Sequence, residues 1–154
     1  MPRNYKKVTI ENAELKYLNF SGRQTDYNPA GMRNFCVVIP PENVNAVREM
    51  GYNVKTGVDN KTGDEFEFVK VNVSYRFEAP RVEMIIANKK RVSLTEDSIS
   101  QLDGTDFESI DLSFTGSDWE NRGKHGTSAY LDSLYALVKE DYLDSKYSDI
   151  PYAD

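Results

Sequence analysis

Glu67-Phe68-Val69-Lys70-Val71-Asn72-Val73-Ser74-Tyr75-Arg76-Phe77 alternates strictly between two faces. Val69, Val71, Val73, Tyr75 and Phe77 fall on one face; Phe68, Lys70, Asn72, Ser74 and Arg76 fall on the other. Side chains along a β-strand repeat every two residues, so the first set can be buried while the second faces outward. The outward row mixes cations, hydrogen-bonding groups and an aromatic ring. Such a row suits a strand that faces nucleic acid, because Lys and Arg pair with phosphates and an aromatic ring stacks on a base. The plainer alternative is an ordinary solvated face of an antiparallel strand.

Working outward, the flanking sequence is rich in β-formers and turn residues. Val8 to Phe20 reads as one long first strand whose alternation, Ile10 and then Ala13, Leu15 and Tyr17, slips once, which predicts a bulge. Ser21 to Gly31 is a loop by composition, and Arg33 to Ile39 is a second, well-buried strand. Pro41 to Gly51 reads as a short helix, with Val44, Val47 and Met50 as its apolar stripe, Pro41 in its first turn and Gly51 as its C-terminal stop. Tyr52 to Lys55 is extended, Asp59 to Asp64 is a turn, and Val82 to Ala87 is a strand joined to the opening one across Ala79-Pro80. Thr95 to Leu102 has the pattern of a second short helix with Thr95 as N-cap. Ile110 to Phe114 and Ser128 to Val138 supply two more strands around a glycine-punctuated hairpin tip, Trp119 to Gly126.

This order predicts an all-β fold with minor helices: an OB-fold-like, five-stranded antiparallel Greek-key barrel over residues 1–139, with a helical insertion at 41–51. A flexible acidic C-terminal tail, residues 140–154, completes the chain. An OB barrel binds oligonucleotides on the face of its second and third strands and through two flanking loops. The corresponding loops here carry Arg23, Tyr27 and Arg33, and Trp119, Arg122, Lys124 and His125. Together with Phe68, Lys70, Asn72 and Arg76 these are the candidate DNA-binding residues, cations for phosphates and Phe68, Tyr27 and Trp119 for stacking. The competing reading has Trp119 and Tyr27 packing on the barrel rim and the hairpin tip basic only for solubility. Lys89-Lys90-Arg91 reads as a solvated basic loop.

Charge and composition leave nucleic acid open. The net charge is −6, but residues 139–154 hold five acids against two lysines, half of the excess. Screening acts over about 8–10 Å at physiological salt, so the local field decides binding. No apolar run approaches the ~20 residues of a membrane span, and the N-terminus lacks the pattern of a signal peptide. Cys36 is the single cysteine and lies in the apolar run Phe35 to Ile39, which predicts a buried thiol and fits a reducing cytoplasm. One histidine and one cysteine cannot assemble a His- or Cys-rich zinc site, and no nucleotide-binding glycine motif is present. The expectation is a binding protein, with neither catalysis nor a cofactor.

The ordered series Asn19-Phe20-Ser21-Gly22, Asn28 to Phe35, Gly51-Tyr52-Asn53-Val54-Lys55, Val71-Asn72-Val73-Ser74-Tyr75, Trp119-Glu120 with Gly123-Lys124, and Ala129-Tyr130-Leu131 resembles the single-stranded-DNA-binding proteins of tailed bacteriophages and prophages. The resemblance spans roughly residues 10 to 147 and implies an OB-fold, sequence-tolerant single-strand binding during phage replication or recombination, and residence in a bacterial cytoplasm. It does not specify which side chains touch DNA. Separately, Asp149-Ile150-Pro151-Tyr152 is similar to the acidic terminal peptide with which bacterial single-strand-binding proteins recruit replication and repair partners, although Ala153-Asp154 follow the aromatic here. The plainer alternative for this segment is a disordered, solubilising tail. An open strand edge also allows a homodimer. The rival to DNA binding is a small β-barrel that engages a host or phage protein through its acidic surface and tail.

Overall fold

The computed structural model describes residues 5–26, 28–76, 78–86, 90–139, 146–147 and 150–153. Tyr27, Phe77, Lys89 and Asp149 therefore lie outside the described residues. The alternating stretch forms a strand, β5 (Glu65–Val73), with Val69, Val71 and Val73 buried and Lys70 exposed. It ends at Val73; Ser74, Tyr75 and Arg76 leave the sheet.

β3 (Arg33–Val38) runs antiparallel to β5, setting Phe35 opposite Val71 and Val37 opposite Val69. All four are at most 3% exposed, so the apolar face predicted from period two is the core face. β2 (Leu15–Asn19) pairs with β3, and β4 (Lys55–Val58) with the first half of β5. β8 (Phe107–Asn121) and β9 (Lys124–Val138) form a long antiparallel hairpin. β5 meets β9 in parallel at Val71–Ala129 and Asn72–Tyr130. Beyond it β6 (Arg81–Ile86) also runs parallel to β9, and β7 (Lys90–Leu94) pairs with β6. β1 (Val8–Ile10) lies against β8.

The main path of the sheet is β1-β8-β9-β5-β3-β2, so its two ends are consecutive in the chain. The Ala13 amide donates to the Ile110 carbonyl of β8 (2.7 Å), while the Glu14 carbonyl accepts from the Val38 amide of β3 (2.9 Å). Two adjacent residues thus touch both ends of a strongly curled sheet. Its inner face holds the core, where Phe20 stacks on Phe35 (centroids 5.1 Å) and Tyr52 meets Phe114 edge-on (5.1 Å). A six-residue helix, α1 (Val44–Glu49), and a 3₁₀ turn, Ile99–Gly104, add Val44, Val47, Ile99 and Leu102 to that core.

Several expectations are corrected. Among the described residues nine strands stand where five were predicted, in a curled open sheet with two parallel pairings in place of an antiparallel Greek-key barrel. The first strand is split into β1 and β2, because residues 11–14 cross between the two ends of the sheet. The helical insertion is a 3₁₀ turn (Pro41–Asn43) followed by α1. Residues 95–98 form a turn in which the Ser98 hydroxyl accepts from the Thr95 amide (2.8 Å), and only the 3₁₀ turn follows. Lys90 and Arg91 belong to a strand and not to a loop, with Arg91 paired through two hydrogen bonds to Glu83 (2.5 and 2.9 Å).

Candidate nucleic-acid interface

Directly opposed residues share a face of a sheet. Register therefore maps the outer surface strand by strand. Lys70 of β5 stands opposite Cys36 of β3, and Cys36 opposite Lys16 of β2. Phe68 stands between Val38 and Lys55. Asn72 stands between Asn34 and Tyr130, and Tyr130 opposite Thr115. Two residues along the hairpin Ser128 faces Ser117, and two further Gly126 faces Trp119. Phe68, Lys70, Asn72 and Trp119 thus occupy one continuous outer face.

Aromatic rings cluster at one end of this face. Phe68 meets Tyr17 edge-on (6.0 Å) and Phe66 at a tilt (5.5 Å), and the Lys16 ammonium sits 4.5 Å from the Phe66 centroid. Gly57 makes room for them, since a Cβ there would lie 2.7 Å from Phe66 Cζ. Burial holds the Cys36 thiol above its ordinary pKa, although the Lys70 and Lys55 ammoniums pull it the other way. The thiol is buried, as its place in the apolar run Phe35 to Ile39 predicted.

At the centre the loop after β2 folds back on the sheet, organised by three buried asparagines that sequence reasoning did not single out. Asn19 Oδ1 accepts from the Arg23 amide, and Asn19 Nδ2 donates to the Arg23 carbonyl (both 3.0 Å). Asn34 Nδ2 donates to Asn28 Oδ1 (2.8 Å), and Asn28 Nδ2 to the Met32 carbonyl (2.6 Å). Their polar side chains break the apolar alternation only locally, so only the strand register that brings Asn19 opposite Asn34 identifies them. Beside this loop a cleft of about 900 Å³ brings together the predicted Arg33, Asn72 and Arg76 and adds Met32, Tyr75 and Tyr130. The cleft also contains Glu78, Glu96 and Asp132. Arg33 is turned to Glu96, with Nη1 3.7 Å from its carboxylate and Nη2 donating to its carbonyl (3.3 Å).

The hairpin tip carries the remaining cations. Arg122 (φ 52°) and Gly123 (φ 79°) make a two-residue turn, with exposed Lys124 just beyond it. Trp119 is 46% exposed and lies across Gly126, where a Cβ would approach Cζ2 to 2.8 Å. It is neither in the core nor free of the strand. From Tyr130 to Lys124 the hairpin runs six residues, about 20 Å. Just short of the tip, opposite Thr127, Asp118 accepts from the Tyr5 hydroxyl (2.5 Å), the Lys6 ammonium (2.8 Å) and the Thr127 hydroxyl (2.8 Å). These three donors, Lys6 first, hold its carboxyl down at about 2.

The predicted cations thus divide. Arg23 lies 3.8 Å from Asp103 and Arg33 faces Glu96, while among the described residues Lys70, Arg122 and Lys124 make no ion pair. In the tail Ile150, Pro151 and Tyr152 are exposed, Tyr152 fully. Among the described residues no three metal-ligating side chains converge, and no helix is long and apolar enough to cross a membrane.

The fold is shared with solved structures. The single-stranded DNA-binding protein of bacteriophage Enc34 matches with a TM-score of 0.55 at 11% identity, covering 88% of this chain and 82% of that one. The same phage protein in complex with ssDNA matches with a TM-score of 0.53 at 12% identity, covering 88% of each. At such identity the likeness speaks for the fold alone. No curated protein sequence matches the chain. The family model of the phage ssDNA-binding domain, by contrast, matches residues 2–154, essentially the whole chain. On that match, the chain belongs to the phage ssDNA-binding domain family.

Proposed function

We propose that this chain binds single-stranded DNA along the outer face of β2, β3 and β5, and that the strand continues past the cleft toward the β8–β9 hairpin tip. The observation that carries the reading is the single face joining Phe68, Lys70 and Asn72 to Tyr130 and Trp119, in a chain of this family. Lys70, Arg76, Arg122 and Lys124 neutralise phosphates, with Arg23 and Arg33 released from their acids on binding. Phe68 and Trp119 contribute stacking, Asn72 hydrogen-bonds, and Tyr27 is assigned to the same surface from sequence alone. Stacking and phosphate pairing tolerate any base, so binding is sequence-tolerant and suits protection of DNA during phage replication and recombination in the host cytoplasm.

The parallel β5–β9 pairing and the first strand shared between both ends of the sheet support reading this as an elaborated OB-fold, with β4, β6 and β7 added to five principal strands. Residues 1–139 form the binding domain. The acidic tail, through Asp149, Ile150, Pro151 and Tyr152, recruits a replication or recombination partner, and β7 offers the free edge a homodimer would use. The chain acts by binding and not by catalysis.

Anisotropy of a labelled oligo-dT of about thirty nucleotides, against duplex DNA and RNA at several salt concentrations, tests the reading. Single-strand binding should weaken with salt at a slope of about −0.7 per phosphate contacted. Lys70→Ala should lower that slope by about 0.7. No binding at low salt would remove the DNA reading and favour the protein-interaction module.

A further inference from the structure

We infer that Tyr17 is a base-stacking platform, turned onto the DNA face by the bulge in β2; the inference rests on the DNA-binding reading above. Alternation along β2 puts Leu15 inward, opposite Val37, and Lys16 outward, opposite Cys36, so an unbroken strand would send Tyr17 into the core. Instead the register shifts between Lys16 and Asn19, and Leu18 takes the place against the core. Tyr17 is 63% exposed and lies on the same outer face as Lys16.

This placement has a conformational cost. Tyr17 holds a φ of 56°, in the left-handed region that a bulky residue rarely enters. A bulge needs a residue there, and glycine or asparagine would fit it with less strain. A large ring in that place, exposed and doing nothing for the core, points to a surface function. Its surroundings name the ligand class. Phe66 has its face occupied by the Lys16 ammonium, and Lys16 is itself 3.6 Å from Asp59. Phe68 has Tyr17 against it on one side and Phe66 on another. Tyr17 is the most exposed ring of the three, braced edge-on by Phe68, with Lys55 and Lys70 on the same face for the adjoining phosphates. An aromatic plane flanked by cations takes a nucleobase.

The test compares Tyr17→Asn, Tyr17→Phe and Tyr17→Trp with the wild type by oligo-dT anisotropy and thermal melting. Asn suits a positive φ but has no ring, so Tyr17→Asn should bind roughly 5- to 150-fold more weakly. Its melting temperature should stay within about 2 °C of wild type or rise, since strain is relieved. Tyr17→Phe and Tyr17→Trp should bind within about threefold of wild type, well under a tenfold step. Unchanged affinity in Tyr17→Asn would overturn the inference. So would an equal loss in Tyr17→Phe, which would assign the effect to the hydroxyl, or a loss accompanied by a collapse in melting temperature, which would make the role structural. A wild-type protein that ignores oligo-dT would instead defeat the DNA-binding reading itself.

Discussion

Among the described residues four non-glycines have positive φ: Lys6, Asn12, Tyr17 and Arg122. Asn12 is of the type that tolerates this conformation; the other three are not. Arg122 sits where a two-residue hairpin turn wants φ positive at both central positions, for which Asn-Gly is the favoured pair. Arg122→Asn should therefore stabilise the protein, by about 1 kcal/mol or roughly 2–4 °C in melting temperature. It should also weaken oligo-dT binding and reduce the salt slope by about 0.7, because one phosphate contact is lost. A variant that is more stable and binds with an unaltered slope would take Arg122 off the interface. The side-chain scale was partly legible in advance. Period two placed Phe68, Lys70 and Asn72 on the outer face, and the structure puts them there. Tyr17 was grouped with Leu15, although the structure separates them, because a sequence reveals that alternation slips but not at which residue. Moving the slip by one position exchanges Tyr17 with Leu18.

At the scale of elements, the β8–β9 hairpin is tied to the N-terminal segment through Asp118. Tyr5, Lys6 and Thr127 all donate to its carboxylate, and the Gly116 amide donates to the Tyr5 carbonyl (2.9 Å). The Asp118 carboxyl is lowered from its ordinary 3.8 to about 2 on folding. A group depressed in this way stabilises the fold fully above its ordinary value, and the contribution disappears as pH falls from about 4 through about 2. Melting temperature should fall across that window, and Asp118→Asn should flatten part of the fall. Only part is expected, because Asp59 and Glu83 are lowered as well, by the Lys61 and Thr62 amides and by Arg91 respectively. An identical acid profile in Asp118→Asn would show that the tie does not act through the charge. Element type was legible where periodicity was long, as in β5 and β9. It was misread at Ile99 and Leu102, whose spacing of three fits a 3₁₀ turn as well as an α-helix. It was also misread at Lys90-Arg91, where charged residues at a sheet edge look like a loop.

For the molecule as a whole, the decisive contact joins residues far apart in the chain: Asn72 Nδ2 donates to the Ala129 carbonyl (3.2 Å) where β5 and β9 run in parallel. Nothing local in either segment encodes that pairing, so individual strands could be located from sequence but neither their number nor their order could be read. The same map bears on the proposed boundary between the binding domain and the tail. β9 stops at Val138, the Lys139 amide still donates to the Asp106 carbonyl (3.0 Å), and among the described residues every member of the buried core precedes residue 137. Removing residues 140–154 should therefore leave the melting temperature unchanged. The deletion removes five acids and one lysine, taking the net charge from −6 to −2. Weaker repulsion should tighten oligo-dT binding at low salt, with the difference vanishing as screening shortens to about 3 Å near 1 M salt. Calorimetry and a salt series on the shortened chain check both halves. A lower melting temperature would place part of the fold in the tail, and weaker binding would place part of the DNA site there.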